Sequence, residues 1–288
     1  MKSYFYFIGC VLFFIFTSHI SGNEDCTIYW LHPDQPPLSI SKGVGAGMGI
    51  VDCMEKNFEK HLKECKHIYI NTNYEKIMTM LKNRDNICSA ALYRSPEREK
   101  FTEFSVPFTI AIANELIILE SNINKFKPFK NTKGAVSLEN LIKSGFRIGV
   151  VKSRVYQSII DEMLKKYKNS QNIIEHTGSQ NAIDSLINMM EAGRIDAVIG
   201  YSFEAQYVVK TIGKKINIVT IPIAGHELYG LPAVGCSKTK KGKEIINRLN
   251  AFILKNRKSP VFMECTERWL DPLALQRFRE YIKNEFKE

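Results

Sequence analysis

The sequence predicts an α/β protein of two lobes, each a mostly parallel sheet with helices on its faces. Three observations carry that prediction. Short β-branched or aromatic runs alternate with amphipathic helical patterns over 26–92, and parallel strands need such crossover helices. The same alternation returns over 146–199, which suggests a second lobe of like build. From 243 onward the pattern is helical with no sheet of its own. That tail must pack on an existing sheet, and packing on the first lobe makes that lobe discontinuous, with two strands crossing to the second.

Taken in order, Cys26 to Leu31 reads as a strand because Thr27, Ile28, Tyr29 and Trp30 are β-branched or aromatic. Pro33, Pro36 and Pro37 then force a loop. Gly43, Gly45, Gly47 and Gly49 give a flexible turn into a helix over 50–63, where Ile50, Val51, Met54, Phe58 and Leu62 recur at helical spacing. The glycine run is not a dinucleotide fingerprint: it lacks the final spaced glycine and follows a proline loop rather than a strand. No cofactor is expected. A strand over 67–70, a helix beginning at Tyr74 and a strand over 87–92 complete the first alternation. A β-prone run covers 110–119, and Ser137 is placed to cap a short helix over 138–142. The second alternation comprises strands over 146–151, 173–176 and 195–199 with helices over 155–167 and 182–191. Strands over 216–223 and 231–236 precede helices over 243–255, 260–269 and 272–286.

The first 22 residues read as an export signal, with Lys2, an apolar stretch from Tyr4 to Phe16 and the small-residue exit Ile20-Ser21-Gly22. The apolar stretch is shorter than the roughly 20 residues a membrane span needs. An uncleaved anchor is the competing reading. Loss of Lys2 takes the formal charge from +10 to +9. The basic residues are spread along the chain, without an arginine-rich arm or Cys/His finger, so no nucleic-acid partner is expected. Six cysteines remain: Cys26, Cys53, Cys65, Cys88, Cys236 and Cys265. An even count in an exported chain favours disulfides, and the absence of a Cys-x-x-Cys spacing argues against zinc or redox motifs. Cys53 and Cys65 would stand roughly 18 Å apart on a continuous helix, too far to bridge. Cys26 and Cys65 each precede a predicted strand and are the first pair to expect. His176 and His226 stand without ligand spacing, so no metal site is expected.

The stretch Cys88 to Phe108, CSAALYRSPEREKFTEFSVPF, carries the strongest chemical signal. Pro96 and Pro107 bias their neighbours toward extended conformations, so Arg98 leaves a strand end on a segment held open. An arginine so placed can fork onto a carboxylate. The competing reading is a surface ion pair with Glu97, Glu99 or Glu103.

Ser95-Pro96-Glu97-Arg98 followed by Phe104-Ser105-Val106-Pro107-Phe108 resembles the T-P-E-R…F-S-x-P-Y pattern of the extracellular solute-binding proteins of amino-acid ABC transporters. The Pro36-Pro37 loop, Gly193-Arg194-Ile195-Asp196-Ala197 and the tail from Gly230 to Trp269 match in the same order. Within that family, Trp30, Pro36-Pro37, Cys88-Ser89-Ala90 and the Pro-Glu-Arg-Glu run resemble an uncharacterised subgroup. The resemblance implies the type 2 periplasmic-binding fold, two lobes joined by two crossing strands. Lobe one would be 24–113 plus 221–288 and lobe two 114–220. It further implies a periplasmic monomer that takes a small carboxylate-bearing ligand and serves a membrane permease or a sensor receptor. Arg98 would hold the carboxylate, and Ser153 would add donors from a helix N-terminus.

Two positions depart from the family pattern. Tyr201 stands where the family places an acid for the ligand's ammonium, and Glu204 could replace it only if the turn differs. Near Gln35 the usual stacking aromatic is missing, so Trp30 or Tyr93 would take that role. Trp30 fits a core anchor equally well. An enzyme on the same fold, such as a prephenate-type dehydratase, is the alternative, with Glu97 or Glu204 as its acid.

Overall fold

The computed structural model describes residues 26–287 except 153, 157, 178–181, 212 and 214. The signal expected at 1–22 and the ligand contact expected at Ser153 lie outside the described residues.

The first alternation forms β1 (Thr27–Pro33), α1 (Ile50–His61), β2 (Lys66–Thr72), α2 (Tyr74–Asn83), β3 (Ile87–Tyr93) and β4 (Thr102–Phe104). The run expected over 110–119 is two strands, β5 (Ala111–Ile112) and β6 (Glu115–Leu119). After α3 (Ile123–Phe126), the helix α4 (Leu138–Lys143) begins on the expected cap, with Ser137 Oγ accepting from the Asn140 N–H. Next come β7 (Ile148–Val151), α5 (Ser158–Lys166), β8 (Ile173–His176), α6 (Ala182–Glu191), β9 (Ala197–Gly200), α7 (Ser202–Thr211) and β10 (Ile218–Ile221). The chain ends with β11 (Tyr229–Gly230), β12 (Pro232–Ser237), α8 (Lys240–Asn256), α9 (Pro260–Glu267) and α10 (Pro272–Glu285).

These strands make two mixed five-stranded sheets, β2-β1-β3-β12-β4 and β10-β6-β9-β7-β8. In each, the strands joined by helices pair in parallel, while strands returning from the other lobe pair antiparallel. Between the sheets, β5 and β11 form an antiparallel pair, Tyr229 opposite Ile112 and Gly230 opposite Ala111. The second crossing therefore lies at 229–230, later in the chain than the expected boundary at 220/221.

Apolar faces explain the packing of the first lobe. Val51, Met54 and Phe58 of α1 are buried against Ile28 and Trp30 of β1 in one cluster. Three disulfides staple that lobe: Cys26–Cys65, Cys53–Cys265 and Cys88–Cys236. The first is the pair expected from sequence. The last ties β3 to β12 at directly opposed residues. Each closes a long loop, and bridges of this kind contribute about 2–5 kcal/mol.

The tail does not return wholly to the first lobe. The Cys53–Cys265 bridge holds α9 there, but α10 crosses over and packs against β10. Asp271, with no exposed surface, is the pivot. Its Oδ1 caps α10 by accepting from the Leu273 and Ala274 N–H groups, and its Oδ2 accepts from the Ser202 and Thr220 hydroxyls at 2.6 and 2.7 Å. One turn on, Arg277 donates to Glu115 at 2.6 Å and to Thr220 at 2.8 Å. The apolar face of α10, with Phe278 and Ile282, covers Ile110, Ile112 and Phe203 behind the crossing strands. Helix α10 thus bridges the lobes: its apolar face shares a cluster with Ile40 and Ile50 of the first, while Asp271 and Arg277 are partnered on the second. Buried charges need partners, and those of this helix are found on the second lobe.

Candidate ligand-binding cleft

A cleft of about 660 Å³ opens between the lobes. The first lobe contributes the end of β3 and the turn that follows, the second contributes the segments after β7 and β9, and the crossing strands form one side.

Arg98 lines this cleft at the start of a single helical turn, Arg98–Lys100, consistent with a segment kept short by its prolines. Its backbone N–H points to Ser95 Oγ, and its Nη1 donates to the Tyr93 carbonyl at 2.8 Å. The surface ion pair considered for Arg98 belongs to its neighbour. Arg94 pairs with Glu99 at 3.1 Å and also donates to the Phe104 and Ser105 carbonyls. Among the described residues no carboxylate pairs with Arg98, so its charge is uncommitted. Neutral groups on the protein orient it instead.

Tyr93 ends β3 and projects into the cleft, 47% exposed. Its ring lies against Gly230, where an added Cβ would come within 2.7 Å of the ring edge. Burial raises the pKa of the Tyr93 hydroxyl, and Tyr201 and Tyr74 push it the same way. Tyr201 follows β9 on the opposite wall, stacked on Phe203 with ring centroids 4.8 Å apart. Burial, then the Glu204 carboxylate, raises its pKa too. Both phenols are therefore neutral at physiological pH and can donate a hydrogen bond from opposite walls of the cleft.

Trp30 has no place in this site. It is fully buried, stacked on Phe58 at 6.0 Å, with its indole N–H donating to His67 Nδ1 at 2.9 Å. Because β1 is paired on both sides, alternate residues point to opposite faces, and Trp30 shares the α1 face with Ile28. The core reading is the correct one.

Glu204 does not replace the missing acid at Tyr201. It is forked onto Arg154, Oε2 to Nη1 at 2.7 Å and Oε1 to Nη2 at 3.0 Å, with both side chains mostly buried. Burial opposes the Arg154 charge, but Glu204 outweighs it and holds the guanidinium pKa above its usual range. Arg154 also lies over the Tyr201 ring at 5.8 Å. Sequence reasoning missed this pair because its members are fifty residues apart and neither belongs to a motif; the only signal was an arginine just after β7 and an acid just after β9. The wall between them also carries Asn114, buried, with its side-chain oxygen unpartnered.

Behind Tyr93 the cleft continues into an apolar annex of about 70 Å³, which shares Tyr93 and Ala111 with it. Leu38, Phe108, Ile110, Phe203 and Leu270 wall the annex, and Tyr74 stands at its edge.

No protein-family model and no curated protein matches the chain. Solved structures do. It is 20% identical to an ancestral cationic amino acid solute-binding protein, covering 85% of this chain and 96% of that one with a TM-score of 0.61. It is 18% identical to the second substrate-binding domain of a putative amino acid ABC transporter from Streptococcus pneumoniae, covering 85% and 99% with a TM-score of 0.59. An ancestral cyclohexadienyl dehydratase is also similar, at 18% identity and a TM-score of 0.50 over 84% and 92%. Likeness at this identity speaks to architecture, because one fold hosts many functions. Together with the two sheets and the paired crossing strands, it establishes that the chain has the two-lobed type 2 periplasmic-binding fold.

Proposed function

We propose that the protein is an extracytoplasmic binding protein that captures a small carboxylate-bearing solute between its lobes, without chemistry. One observation carries the reading: Arg98 faces the inter-lobe cleft, is oriented by a backbone carbonyl, and has no carboxylate partner among the described residues. A guanidinium with free donors in a cleft can fork onto a carboxylate through two parallel charge-assisted hydrogen bonds. Both lobes line the cleft, so a ligand touching both favours the state in which they are closest. Three disulfides fit an oxidising compartment and support export. A membrane permease or a sensor receptor would read the liganded form.

Titration calorimetry against a panel of small carboxylates tests this. Charged hydrogen bonds contribute about 1.5–3 kcal/mol each, so Arg98→Ala should weaken the best ligand by about 100-fold or more. If that variant binds every carboxylate ligand as tightly as the parent, the role given to Arg98 is wrong. For the dehydratase reading, Glu204 is clasped by Arg154, which leaves Glu97 as its acid. Turnover of prephenate by the purified protein would overturn the binding-only reading.

A further inference from the structure

We infer that the cleft selects carboxylates lacking an ammonium group, with an apolar aromatic or branched aliphatic remainder. This rests on the carboxylate reading above and extends it to the other half of the ligand.

The charges around the cleft carry the first step. An ammonium taken out of water needs a buried carboxylate beside it. The acid nearest the second-lobe wall, Glu204, is neutralised by the Arg154 fork behind Tyr201. Two acids remain on the lining. Glu97 is exposed at the rim, where water screens it. Glu227 accepts from Ser158 Oγ at 2.6 Å and lies 3.2 Å from His226. On the cationic side Lys82 lies over the Phe101 ring, beside the uncommitted Arg98. The lining therefore sets three cations, Lys82, Arg94 and Arg98, against the two exposed acids Glu97 and Glu227, a balance that favours an anion. Asn114 adds a neutral amide whose unpartnered oxygen accepts from an O–H or N–H donor.

Shape carries the second step. Tyr93 and Tyr201 line the cleft from opposite lobes, and Tyr74 lines the annex beside Tyr93. The annex behind Tyr93 is walled by aliphatic and aromatic side chains, with Thr109 and Thr266 its only hydroxyl-bearing residues besides the tyrosines. A cavity of that kind holds hydrocarbon better than water. Its volume of about 70 Å³ admits the end of a branched chain or the edge of a ring.

Matched ligand pairs that differ only by the ammonium test this: 3-phenylpropionate against L-phenylalanine, and 4-methylpentanoate against L-leucine. Calorimetry on the full mature chain should show each deaminated acid binding at least about tenfold tighter, a difference of about 1.4 kcal/mol. Tyr201→Asp, which places a carboxylate on the second-lobe wall, should move the ratio toward the amino acid by a similar factor while the thermal melt confirms folding. Amino acids binding as tightly as their partners, with loss in Arg98→Ala, would overturn the inference and leave the carboxylate reading standing. No binding of any of the four acids at millimolar concentration would also overturn it, and the broader Arg98-dependent screen would then judge the parent reading separately. An unchanged ratio in Tyr201→Asp would remove Tyr201 from the specificity wall.

Discussion

Asp271→Ala removes a carboxylate that, together with Glu115, joins the C-terminal helix to the second lobe. In the native protein it satisfies two backbone N–H groups at the start of α10 and two buried hydroxyls, Ser202 and Thr220. Loss of a helix cap costs about 1 kcal/mol. Each buried hydroxyl loses a charge-assisted bond of about 1.5–3 kcal/mol. Thr220 keeps its bond from Arg277 and Ser202 its contact with the Asp271 N–H, so only their donor hydrogens are stranded. Relief of the buried charge offsets part of the loss. The expected net is about 3–4 kcal/mol. For a chain of this size roughly 2 °C of melting temperature is lost per kcal/mol, which gives a fall of about 6–8 °C by calorimetry or circular dichroism. Asp271→Asn, which keeps a capping oxygen and lets both hydroxyls turn to accept, should lose about half as much. A melting temperature for Asp271→Ala within about 2 °C of the parent would refute the argument that this carboxylate holds the helix across the lobes.

Two further outcomes follow from the same structure. Gly230→Ala should displace the Tyr93 ring, because the new Cβ would meet it at 2.7 Å and the half-exposed ring can turn away. Ligand affinity should fall several-fold while the melting temperature changes by less than about 2 °C; a large stability loss with unchanged affinity would show that the ring is a packing element instead. His226 has its pKa lowered from 6.5 by burial, with Glu227 and Asp161 opposing. The unfolded chain therefore binds this proton at higher pH than the folded one, and stability falls as pH drops below 6.5 toward the depressed value. Melting curves from pH 7.5 to 5 should show a shallower acid loss in His226→Gln, and identical slopes would contradict the assignment.

Much of this architecture was legible in the sequence, for reasons that can be named. Helices such as 50–63 carry their period openly because one face is buried, and strands such as 87–92, buried on both faces, read as short apolar runs. The run over 110–119 read as a single strand because apolar periodicity does not say which sheet a strand joins; at Ala113-Asn114 the chain passes from the crossing pair to the second sheet. Helix α7 escaped notice because its buried residues, Ser202 to Ala205, cluster in its first turn instead of recurring as a stripe. Arg98, Tyr93 and Tyr201 line the cleft, a position legible in sequence because each ends or follows a strand. Trp30 was ambiguous, since a large aromatic fits either face of a strand until its pairing is known. The Arg154–Glu204 fork was invisible, because only the fold brings those residues together.

The route of the tail limits how the lobes can move. Cys265 is bonded to one lobe and Asp271 is bolted to the other, so the few residues between them are a third tie beside the two crossing strands. Trp269 and Leu270 within that tie are themselves buried, so it has little slack. Two paired strands alone permit both bending and twisting. A third short tie would resist the twist, so that any closure of the cleft would be expected to bend about the crossing strands without twisting them.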